Sequence, residues 1–399
     1  MLVGLLHMES YLCFFRKQQH LDINDIDAEL CLNYLRELRN KCAENGSIAQ
    51  TDIIANPKLL EYCFDIFDKL HNYNCSDIQI KCLRVGIQFI GNLLVDNPLN
   101  KAIIFVNYYP TIRKWIFNKD KVVANYTEMV LYNLLIDIED VRDAICNDEH
   151  LLEKIVVDAE EEMEFGMLLL EKLTGHSFPL LYNKLSDKYR INLLKFFRKC
   201  LLEESITISV GCIEYIKELF KQAFEQLLDQ TQCNSIEQTD NITDRVHIEI
   251  LNTISRITYT SNYKSVLDSD MDFVSFILDK LLIIQQRGCD RTNIFSRHSD
   301  FHEIGTSQLP YHPVYGVKTI LVQIVGNLCY RNKLIQDKIR DSNIIPVIVD
   351  CFKFDAKNPY ITQWAIFTIA NLSYNNEENQ RAISVALAGT NMKDCNIGL

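Results

Sequence analysis

The sequence has few of the residues that turns and sheets require. It contains 13 glycines and 8 prolines, 21 of 399 residues, which is about 5% against about 12% in average proteins. Long helices with short connections need few such residues, whereas sandwiches and barrels need many. Because 48% of the residues are hydrophobic, the chain can still build a continuous core. The composition therefore favours an all-α fold with trivial strands or none.

Other absences exclude whole classes of protein. None of the 14 cysteines forms a Cys-x-x-Cys pair, and most, such as Cys82 and Cys329, lie in apolar runs, which favours reduced thiols over a disulfide framework. No stretch of about 18 apolar residues predicts a membrane span. With a formal net charge of −12, the chain lacks the basic surface of a nucleic-acid binder. We therefore expect a cytoplasmic protein with no nucleic-acid partner and no membrane insertion.

Catalytic and metal-binding patterns are also missing. The chain has no phosphate-binding glycine loop, no Gly-x-Ser-x-Gly and no His-Glu-x-x-His, so we expect no enzyme and no cofactor. One polar segment carries residue types that zinc accepts, namely Cys289, His298, His302 and His312. Their spacing matches no common zinc motif, so we interpret the segment as a plain loop and predict no metal.

What the chain does contain is a repeated phrase. A branched aliphatic residue, a small residue, an asparagine and a leucine occur together three times, with the asparagine at Asn92, Asn327 and Asn371. Tyr132-Asn133-Leu134 is a fourth copy, in which tyrosine replaces the small residue. An isoleucine follows twelve residues after each asparagine, at Ile104, Ile145, Ile339 and Ile383. Neighbouring copies are 41 and 44 residues apart, which is the period of armadillo and HEAT repeats.

Two further segments extend the pattern. In Leu251–Ile257, Ser255 takes the asparagine position and Leu267 lies twelve residues on, and Leu38–Cys42 is a sixth candidate near the start. Because Asn133 and Ser255 are 122 residues apart, about three periods, we expect two degenerate copies between them. The sequence thus predicts an armadillo/HEAT-like, right-handed superhelical solenoid of roughly 40-residue helical repeats.

One irregular segment divides the predicted solenoid. We predict an amino-terminal array over residues 1–284, an irregular polar loop over 285–316, carboxy-terminal repeats over 317–385 and a frayed tail over 386–399. Loops longer than about 12–15 residues are usually functional or disordered. Asn-Pro pairs at 56–57, 97–98 and 358–359 precede apolar periodic runs. Each pair predicts a helix that starts with an asparagine cap and a proline in the first turn.

The recurrent asparagine predicts a ladder of amides along the stack. Asparagine inside a helix is unfavourable unless its amide finds a partner. Two interpretations stay open: each amide bonds the adjacent repeat, or the ladder faces a concave groove and holds a partner's extended backbone. The candidate partner-binding residues are Asn92, Asn133, Asn327 and Asn371, with Gln88 and Gln323 one turn earlier. The small residues Gly91, Gly326 and Ala370 should let a neighbouring helix approach closely.

The carboxy-terminal third carries the most specific segments. They include Arg291–Phe295, Ile324–Asn332, Gln336–Lys338, Asn358–Ile366 and Glu378–Gln380. In these segments the chain resembles the ataxin-10 family, and the likeness extends over most of the chain but is sparse between about 145 and 245. The resemblance implies an armadillo-like, non-enzymatic scaffold with roles in neurite growth, neuronal survival and cytokinesis. It also implies a cytoplasmic and perinuclear location and other proteins as partners, with a homo-oligomer left open.

The chain departs from the family in two respects. It looks shorter at both ends, which implies an invertebrate-type or truncated member. Ala370 stands where the family commonly has arginine, which removes a groove charge.

Two alternative functions stay open. One is a regulatory subunit of a G protein or glycosyltransferase. The other is a nuclear-import-type adaptor that binds basic peptides. Such adaptors resemble one another in a tryptophan four residues before the groove asparagine. This chain has Gln88, Met129, Gln323 and Phe367 there.

Overall fold

The protein folds into helices that form two compact units. The computed structural model describes residues 2–44, 46–73, 75–231, 241–306 and 309–395. Within these ranges the only bridge between extended residues joins Ile304 and Leu309. The compact units are Met1–Leu185 and Ser186–Leu399, called unit 1 and unit 2 below. The predicted all-α class is confirmed.

Unit 1 contains ten α-helices among its described residues. They are α1 (Leu2–Gln18), α2 (Ala28–Glu44), α3 (Gly46–Ile54), α4 (Pro57–Asn72), α5 (Asp77–Leu94), α6 (Pro98–Trp115), α7 (Lys121–Leu135), α8 (Glu139–Cys146), α9 (Glu149–Glu160) and α10 (Glu164–Lys184). Helix α5 packs against α2 and α7, and α7 also packs against α10. We call these four the ladder helices of unit 1. Helices α4, α6 and α9 form a second layer against them.

Unit 2 repeats this arrangement with ten α-helices among its described residues. They are α11 (Asp187–Glu203), α12 (Val210–Gln230), α13 (Ile242–Tyr259), α14 (Ser261–Asp268), α15 (Met271–Arg287), α16 (Val317–Cys329), α17 (Lys333–Asp341), α18 (Ile345–Asp350), α19 (Ile361–Ser373) and α20 (Glu377–Cys395). Its ladder helices are α11, α13, α16 and α19, each packed on the next. Helices α12, α15 and α18 form the second layer.

The repeated phrase corresponds to one ladder helix and the start of the next helix. In α5 the fully buried residues Leu83, Ile87, Ile90 and Leu94 recur every three or four positions, as one face of a helix requires. The isoleucines twelve residues after the asparagines are also buried, at Ile104, Ile145, Ile339 and Ile383. The phrase recurs because each repeat must bury the same face against its neighbours. The armadillo-like repeat predicted from the sequence is confirmed.

Two of the three Asn-Pro pairs begin helices. The Asn97 side chain accepts a 3.1 Å hydrogen bond from the Asn100 backbone N–H, and Pro98 is the first residue of α6. Asn56 likewise precedes Pro57 and α4, but its side chain makes no cap bond. Its amide instead donates to the Asp52 carbonyl at 2.8 Å. The helix start is therefore predictable from Asn-Pro, whereas the cap bond is not.

The third pair does not begin a helix. Helix α19 starts at Ile361, after Tyr360 with φ of 63°, so the prediction of a cap at Asn358 is wrong. The Asn358 amide is drawn into a loop contact, where it donates to Asp355 Oδ2 at 2.7 Å. A local acceptor of this kind competes with helix capping.

The boundaries of the loop and the tail differ from the prediction in detail. Helix α15 ends at Arg287 and α16 begins at Val317, and the described residues between them contain one short 3₁₀ turn, Phe301–Glu303. Helix α20 continues to Cys395, so the backbone of the predicted tail is helical to that point, and residues 396–399 lie outside the described ranges. Alanines at 386 and 388 explain the helix, because alanine is the strongest helix former.

The small residue before the ladder asparagine permits close helix packing, as predicted. A Cβ atom on Gly326 would lie 2.5 Å from Thr368 Oγ1 and 3.2 Å from the Phe367 ring. Thr368 is fully buried and its hydroxyl bonds the Val322 and Trp364 carbonyls at 3.1 and 2.8 Å, so it cannot move without losing bonds. We expect Gly326→Ala to lower the free energy of unfolding by about 1–3 kcal/mol in urea titrations.

Gly91 provides the matched comparison. A Cβ atom there would lie 2.3 Å from Met129 Cε, which is the end of a flexible thioether side chain that can adapt. The gain in helix propensity, about 1 kcal/mol for alanine over glycine, should offset most of the strain. We expect Gly91→Ala to be nearly neutral. A larger loss at Gly91 than at Gly326 would contradict this account of the packing.

Candidate functional site

The ladder asparagines of unit 1 each bond to the preceding ladder helix. Asn92 Nδ2 donates to the Arg39 carbonyl and Asn133 Nδ2 donates to the Gly91 carbonyl, both at 3.2 Å. Arg39 and Gly91 directly precede Asn40 and Asn92 in the sequence. A carbonyl only accepts hydrogen bonds, so it fixes which amide atom is the nitrogen. The first of the two predicted interpretations, a bond to the adjacent repeat, therefore describes these side-chain nitrogens.

Unit 2 contains the same bonds. Asn371 Nδ2 donates to the Gly326 carbonyl at 2.9 Å. Asn327 Nδ2 donates to the Ser255 carbonyl at 3.4 Å and to Thr258 Oγ1 at 3.1 Å. Each acceptor carbonyl again lies on the ladder helix before, so the four asparagines share one register.

This register corrects the position of the fifth copy. The acceptor carbonyl belongs to the residue before the ladder position, as Gly326 precedes Asn327. Because Ser255 supplies the acceptor, the ladder position of α13 is Arg256. Leu267 is fully buried and takes the place of the buried isoleucine of the other copies. It lies eleven residues after the ladder position, whereas those isoleucines lie twelve residues after it. Counting twelve residues back from Leu267 gave Ser255 and not Arg256, because the connection after α13 is one residue shorter than in the other copies.

The amide oxygens of the ladder accept no hydrogen bond from the part of the chain that the structure describes. Within the described residues, no donor bonds Oδ1 of the four asparagines, whose nitrogens alone are engaged. None of these oxygens is among the buried atoms without a partner, so each keeps contact with solvent. Asn92 and Asn133 are half-buried, whereas Asn327 and Asn371 are only 4% and 8% exposed. The ladder therefore presents one oriented hydrogen-bond acceptor per repeat, held in place by the bond through its nitrogen.

The two glutamines one turn earlier differ from each other. Gln88 Oε1 accepts a 3.0 Å bond from Arg39 Nη1, so its side chain is tied to α2. Gln323 is half-buried and has no hydrogen bond to any other described residue. At the same position of other repeats, Met129 and Phe367 lie against Gly91 and Gly326. These contacts fill the place where an import-type adaptor would carry tryptophan.

A second set of amides, absent from the sequence predictions, connects the layers of unit 1. We call it the amide relay. Gln50 Nε2 donates to the Asn92 and Val95 carbonyls at 2.8 and 3.0 Å, and Gln50 Oε1 accepts from Asn97 Nδ2 at 3.2 Å. Asn100 Nδ2 donates to the Gln50 carbonyl at 3.5 Å. Gln50 and Asn100 are 3% and 1% exposed, so the relay is structural.

Unit 2 has the same relay. Gln336 Nε2 donates to the Asn371 and Cys329 carbonyls at 2.9 and 3.2 Å, and Gln336 Oε1 accepts from Asn376 Nδ2 at 3.1 Å. Asn379 Nδ2 donates to the Gln336 carbonyl at 3.1 Å. Gln336 and Asn379 correspond to Gln50 and Asn100 of unit 1. Three of the four hydrogen bonds are therefore equivalent in the two units, and the second acceptor of the glutamine nitrogen, Val95 or Cys329, differs.

The polar loop after α15 is bonded to the segment that precedes α19. The Ala356 N–H donates to the His298 carbonyl and the Gly316 N–H donates to the Lys357 carbonyl, both at 2.8 Å. Lys357 Nζ donates to the Ile294 carbonyl at 3.1 Å. Burial lowers the pKa of Lys357. These bonds give the long loop a structural role in unit 2.

The four zinc candidates make separate contacts. Cys289 is exposed and its Sγ donates to the Gln285 carbonyl at 3.4 Å. His298 Nε2 lies 2.9 Å from Glu303 Oε2. The backbone N–H of His302 donates to Asp300 Oδ1 at 2.8 Å, and His312 Nδ1 accepts from the Val314 N–H at 3.2 Å. Across the described ranges, no three His, Cys, Asp or Glu side chains converge as metal ligands would.

One buried carboxyl group has no hydrogen-bond donor. Glu128 of α7 is fully buried, and no donor among the described residues bonds either of its side-chain oxygens. Its carboxyl lies beside Asp158, to which it donates a hydrogen bond when protonated. Burial first, and then the negative charge of Asp158, raise the pKa of Glu128 well above its ordinary value. Asp158 pairs with Lys154. Gly166 of α10 makes room for the pair, since a Cβ atom there would lie 3.0 Å from Glu128 Oε1. The group is sealed from solvent, so it cannot meet a substrate.

The ladders and relays define the class of protein: an all-α, armadillo-like repeat protein. No helix among the described residues is long and apolar enough to cross a membrane.

Comparison with known proteins places the chain more closely. Residues 317–394 match the family model described as the spinocerebellar ataxia type 10 protein domain. Ataxin-10 of Bos taurus is 27% identical over 371 residues, which cover 89% of this chain and 76% of that protein. The ataxin-10 homolog of Dictyostelium discoideum is 46% identical over 68 residues, 17% of this chain and 11% of that protein. The chain is thus similar to ataxin-10 over most of its length, and its carboxy-terminal repeats match the domain of that family.

Solved structures show only a distant likeness. A chain from a structure concerning the interaction between cadherin and beta-catenin is similar with a TM-score of 0.38 and 13% identity, over 92% of this chain and 62% of that chain. A TM-score this low does not by itself define the fold. The armadillo-like description rests on the hydrogen-bonded repeats within each unit.

Proposed function

We propose that the protein is a non-catalytic, cytoplasmic scaffold whose amide ladders bind extended segments of other proteins. The scaffold roles that the family resemblance implies, in neurite growth, neuronal survival and cytokinesis, belong to this proposal, as does a perinuclear location. The observation that carries it is the divided use of each ladder amide. Its nitrogen is bonded to the neighbouring helix, while its oxygen is left as an acceptor.

An extended peptide offers what such a ladder requires. Backbone N–H groups recur every two residues on one side of an extended chain, at about 3.3 Å per residue. Ladder helices that pack at about 8–10 Å therefore present one acceptor for roughly every two to three residues of peptide. Fixed acceptors cost little ordering entropy on binding. Specificity would come from side-chain pockets between the repeats.

The test uses a displayed library of random peptides, each roughly ten residues long, which spans about three ladder helices. Peptides selected on the wild-type chain are then measured against the double variant Asn327→Ala/Asn371→Ala. We expect binding to weaken by about tenfold or more, since each lost hydrogen bond contributes on the order of 1 kcal/mol. The same loss of internal bonds should lower the melting temperature by only roughly 4–8 °C.

Asn379→Ala is the matched control. This asparagine is fully buried and donates to the Gln336 and Leu372 carbonyls at 3.1 and 3.0 Å, so its loss also removes interhelical bonds. It belongs to the relay and presents no acceptor on the ladder. We expect a similar fall in melting temperature with unchanged peptide binding. Equal binding by the ladder double variant and the wild type would show that the asparagines are purely structural.

The import-adaptor alternative has a direct test as well. A basic localisation peptide should not bind, because Met129 and Phe367 occupy the tryptophan positions against Gly91 and Gly326. A regulatory subunit of a G protein or glycosyltransferase would be a scaffold of the proposed kind with one defined client.

A further inference from the structure

An exposed apolar residue ends each ladder helix that carries the phrase. It lies three positions after the ladder asparagine, at Val95, Ile136, Tyr330 and Tyr374, and these side chains are 45%, 46%, 47% and 51% exposed. In α13 the corresponding residue is Tyr259, which is 61% exposed. Large apolar side chains that recur in one register on the surface mark a contact face. We call Tyr259, Tyr330 and Tyr374 of unit 2 the tyrosine stripe.

Cations lie over the rings of the stripe. The Arg331 guanidinium is 5.2 Å from the centroid of Tyr330 and 5.9 Å from that of Tyr374, so it connects two neighbouring repeats. Lys264 Nζ is 5.5 Å from the Tyr330 ring and donates to the Tyr330 carbonyl at 2.8 Å. Cation–π contacts of this kind hold both groups in place. The stripe is therefore a fixed array of aromatic rings and positive charges.

Arg256 extends the array to Tyr259. Its guanidinium lies 4.9 Å from the Tyr259 ring, and it occupies the ladder position of α13. Its Nε is buried and has no acceptor among the described residues. A buried charged donor without a partner is costly in free energy. Arg256, which belongs to both the ladder and the stripe, can therefore take one further hydrogen-bond acceptor at Nε.

Two of the three cations of the stripe have no carboxylate partner among the described residues. Neither Arg256 nor Arg331 forms an ion pair with any described carboxylate, although acidic residues outnumber basic ones by 53 to 41. Lys264, by contrast, pairs with Asp268 at 3.9 Å. Unpaired arginines in an acidic protein favour a carboxylate-bearing ligand, which arginine binds through two parallel hydrogen bonds.

We propose that the tyrosine stripe of unit 2 binds an acidic, extended segment of a partner protein. The carboxylates of this segment meet Arg256 and Arg331, its apolar side chains lie on the tyrosine rings, and its backbone N–H groups reach the amide oxygens of Asn327 and Asn371. The inference rests on the proposed function and adds the chemistry of the partner. A single-stranded nucleic acid would also stack on the rings, but it requires a continuous basic track, which three cations do not supply.

The test compares three fluorescent probes of similar length on the intact chain. They are a peptide of alternating glutamate and leucine, its lysine and leucine counterpart, and oligouridine. We expect the glutamate peptide to bind best and to weaken with salt. In the variant Arg256→Gln/Arg331→Gln its dissociation constant should rise by about tenfold or more, since two charge-assisted bonds are lost. Circular dichroism should show an unchanged fold, because both side chains lack internal ion pairs.

Lys221→Gln/Arg381→Gln is the control of equal charge. Lys221 pairs with Glu218 on α12 and Arg381 pairs with Glu377 on α20, and neither contacts the stripe. Unchanged affinity in this variant would show that position, not net charge, matters. Stronger binding of oligouridine or of the lysine peptide would overturn the inference, as would equal binding of the glutamate peptide by the arginine variant.

The library selection separates this inference from the proposed function. If selected peptides depend on Asn327 and Asn371 but carry no excess of acidic residues, the scaffold proposal stands and the inference is wrong. If no peptide depends on the ladder, both are wrong.

Discussion

Replacing Gln336 by leucine should lower the free energy of unfolding of unit 2 by about 2–4 kcal/mol, because each of the three buried hydrogen bonds that it makes contributes on the order of 1 kcal/mol. Gln336 is 2% exposed. Its nitrogen donates to the Asn371 and Cys329 carbonyls, and its oxygen accepts from Asn376. Leucine fills the volume, so the loss comes from these hydrogen bonds and not from a cavity. The Cys329 carbonyl and the Asn376 amide keep one other partner each, which limits the cost.

Gln50→Leu should have the same effect on unit 1. Gln50 bonds the Asn92 and Val95 carbonyls and accepts from Asn97, in the same pattern as Gln336. Equal losses in the two units would show that the relay, and not its local surroundings, sets the cost. Hydrogen exchange followed by mass spectrometry gives the measurement, since it reports protection separately for peptides of each unit.

Gln380→Leu is the control for Gln336. Gln380 lies on α20, is exposed, and donates one bond to the Ser373 carbonyl at 2.9 Å. Water replaces that bond, so we expect a change within about 0.5 kcal/mol. If Gln336→Leu lowered protection no more than Gln380→Leu does, the relay would not stabilise the stack.

The sequence predicted the ladder because the ladder repeats. Asn92, Asn133, Asn327 and Asn371 recur at one register since each must reach a carbonyl of the neighbouring helix. The glycine before the asparagine recurs for the same reason, as Gly326 shows by its contact with Thr368. A contact that every repeat makes in the same way leaves a periodic trace in the sequence.

The glutamines of the relay left no such trace, although its asparagines lie five and eight residues after the ladder asparagine in both units. Gln50 follows Asn40 by ten residues, whereas Gln336 follows Asn327 by nine, because the connections between helices differ in length. A glutamine in one unit performs the same task as a glutamine in the other, but no fixed spacing identifies either. Arg256 escaped detection similarly, since an arginine replaces the asparagine and the offset to Leu267 is one residue shorter.

The tyrosine stripe could have been predicted. Asn327-Leu-Cys-Tyr330 and Asn371-Leu-Ser-Tyr374 place tyrosine at one offset, and an aromatic residue at the end of an amphipathic helix is a recognisable signal. Its pairing with Arg331 could not, because that contact depends on the φ of 54° that Arg331 adopts between two helices. Backbone conformations of this kind are rare for side chains with a Cβ atom.

The buried carboxyl group of Glu128 also required the structure, since Asp158 is 30 residues away in the sequence. It leads to the second large effect: unit 1 should lose stability as the pH rises. In the unfolded chain Glu128 ionises near 4.5, while the folded chain keeps its proton to a higher pH. Between these values the folded state binds more protons, so the free energy of unfolding falls by up to about 1.4 kcal/mol per pH unit.

In the window from about pH 7 to about pH 9 we expect the loss of stability to come from Glu128. Burial lowers the pKa of His71 and His247, so their effect on stability is complete once the pH exceeds the ordinary histidine value of 6.5. Burial raises the pKa of the Cys42 thiol to about 12, and its effect begins only above the ordinary value of 9.0. A hydrogen bond with Cys31 lowers the pKa of the Cys82 thiol, so its ionisation below pH 9.0 stabilises the folded state and has the opposite sign.

Glu128→Gln should remove the slope, because glutamine carries no charge at any pH and fits the same space beside Gly166. Urea titrations on a Trp364→Phe background report unit 1 alone, since Trp115, fully buried, is then the only tryptophan of the two in the chain. Glu61→Gln, which changes an exposed carboxyl on α4, should leave the slope intact. If the free energy of unfolding still fell with pH in Glu128→Gln, another titrating group would have to cause the dependence, because this variant has no carboxyl at position 128.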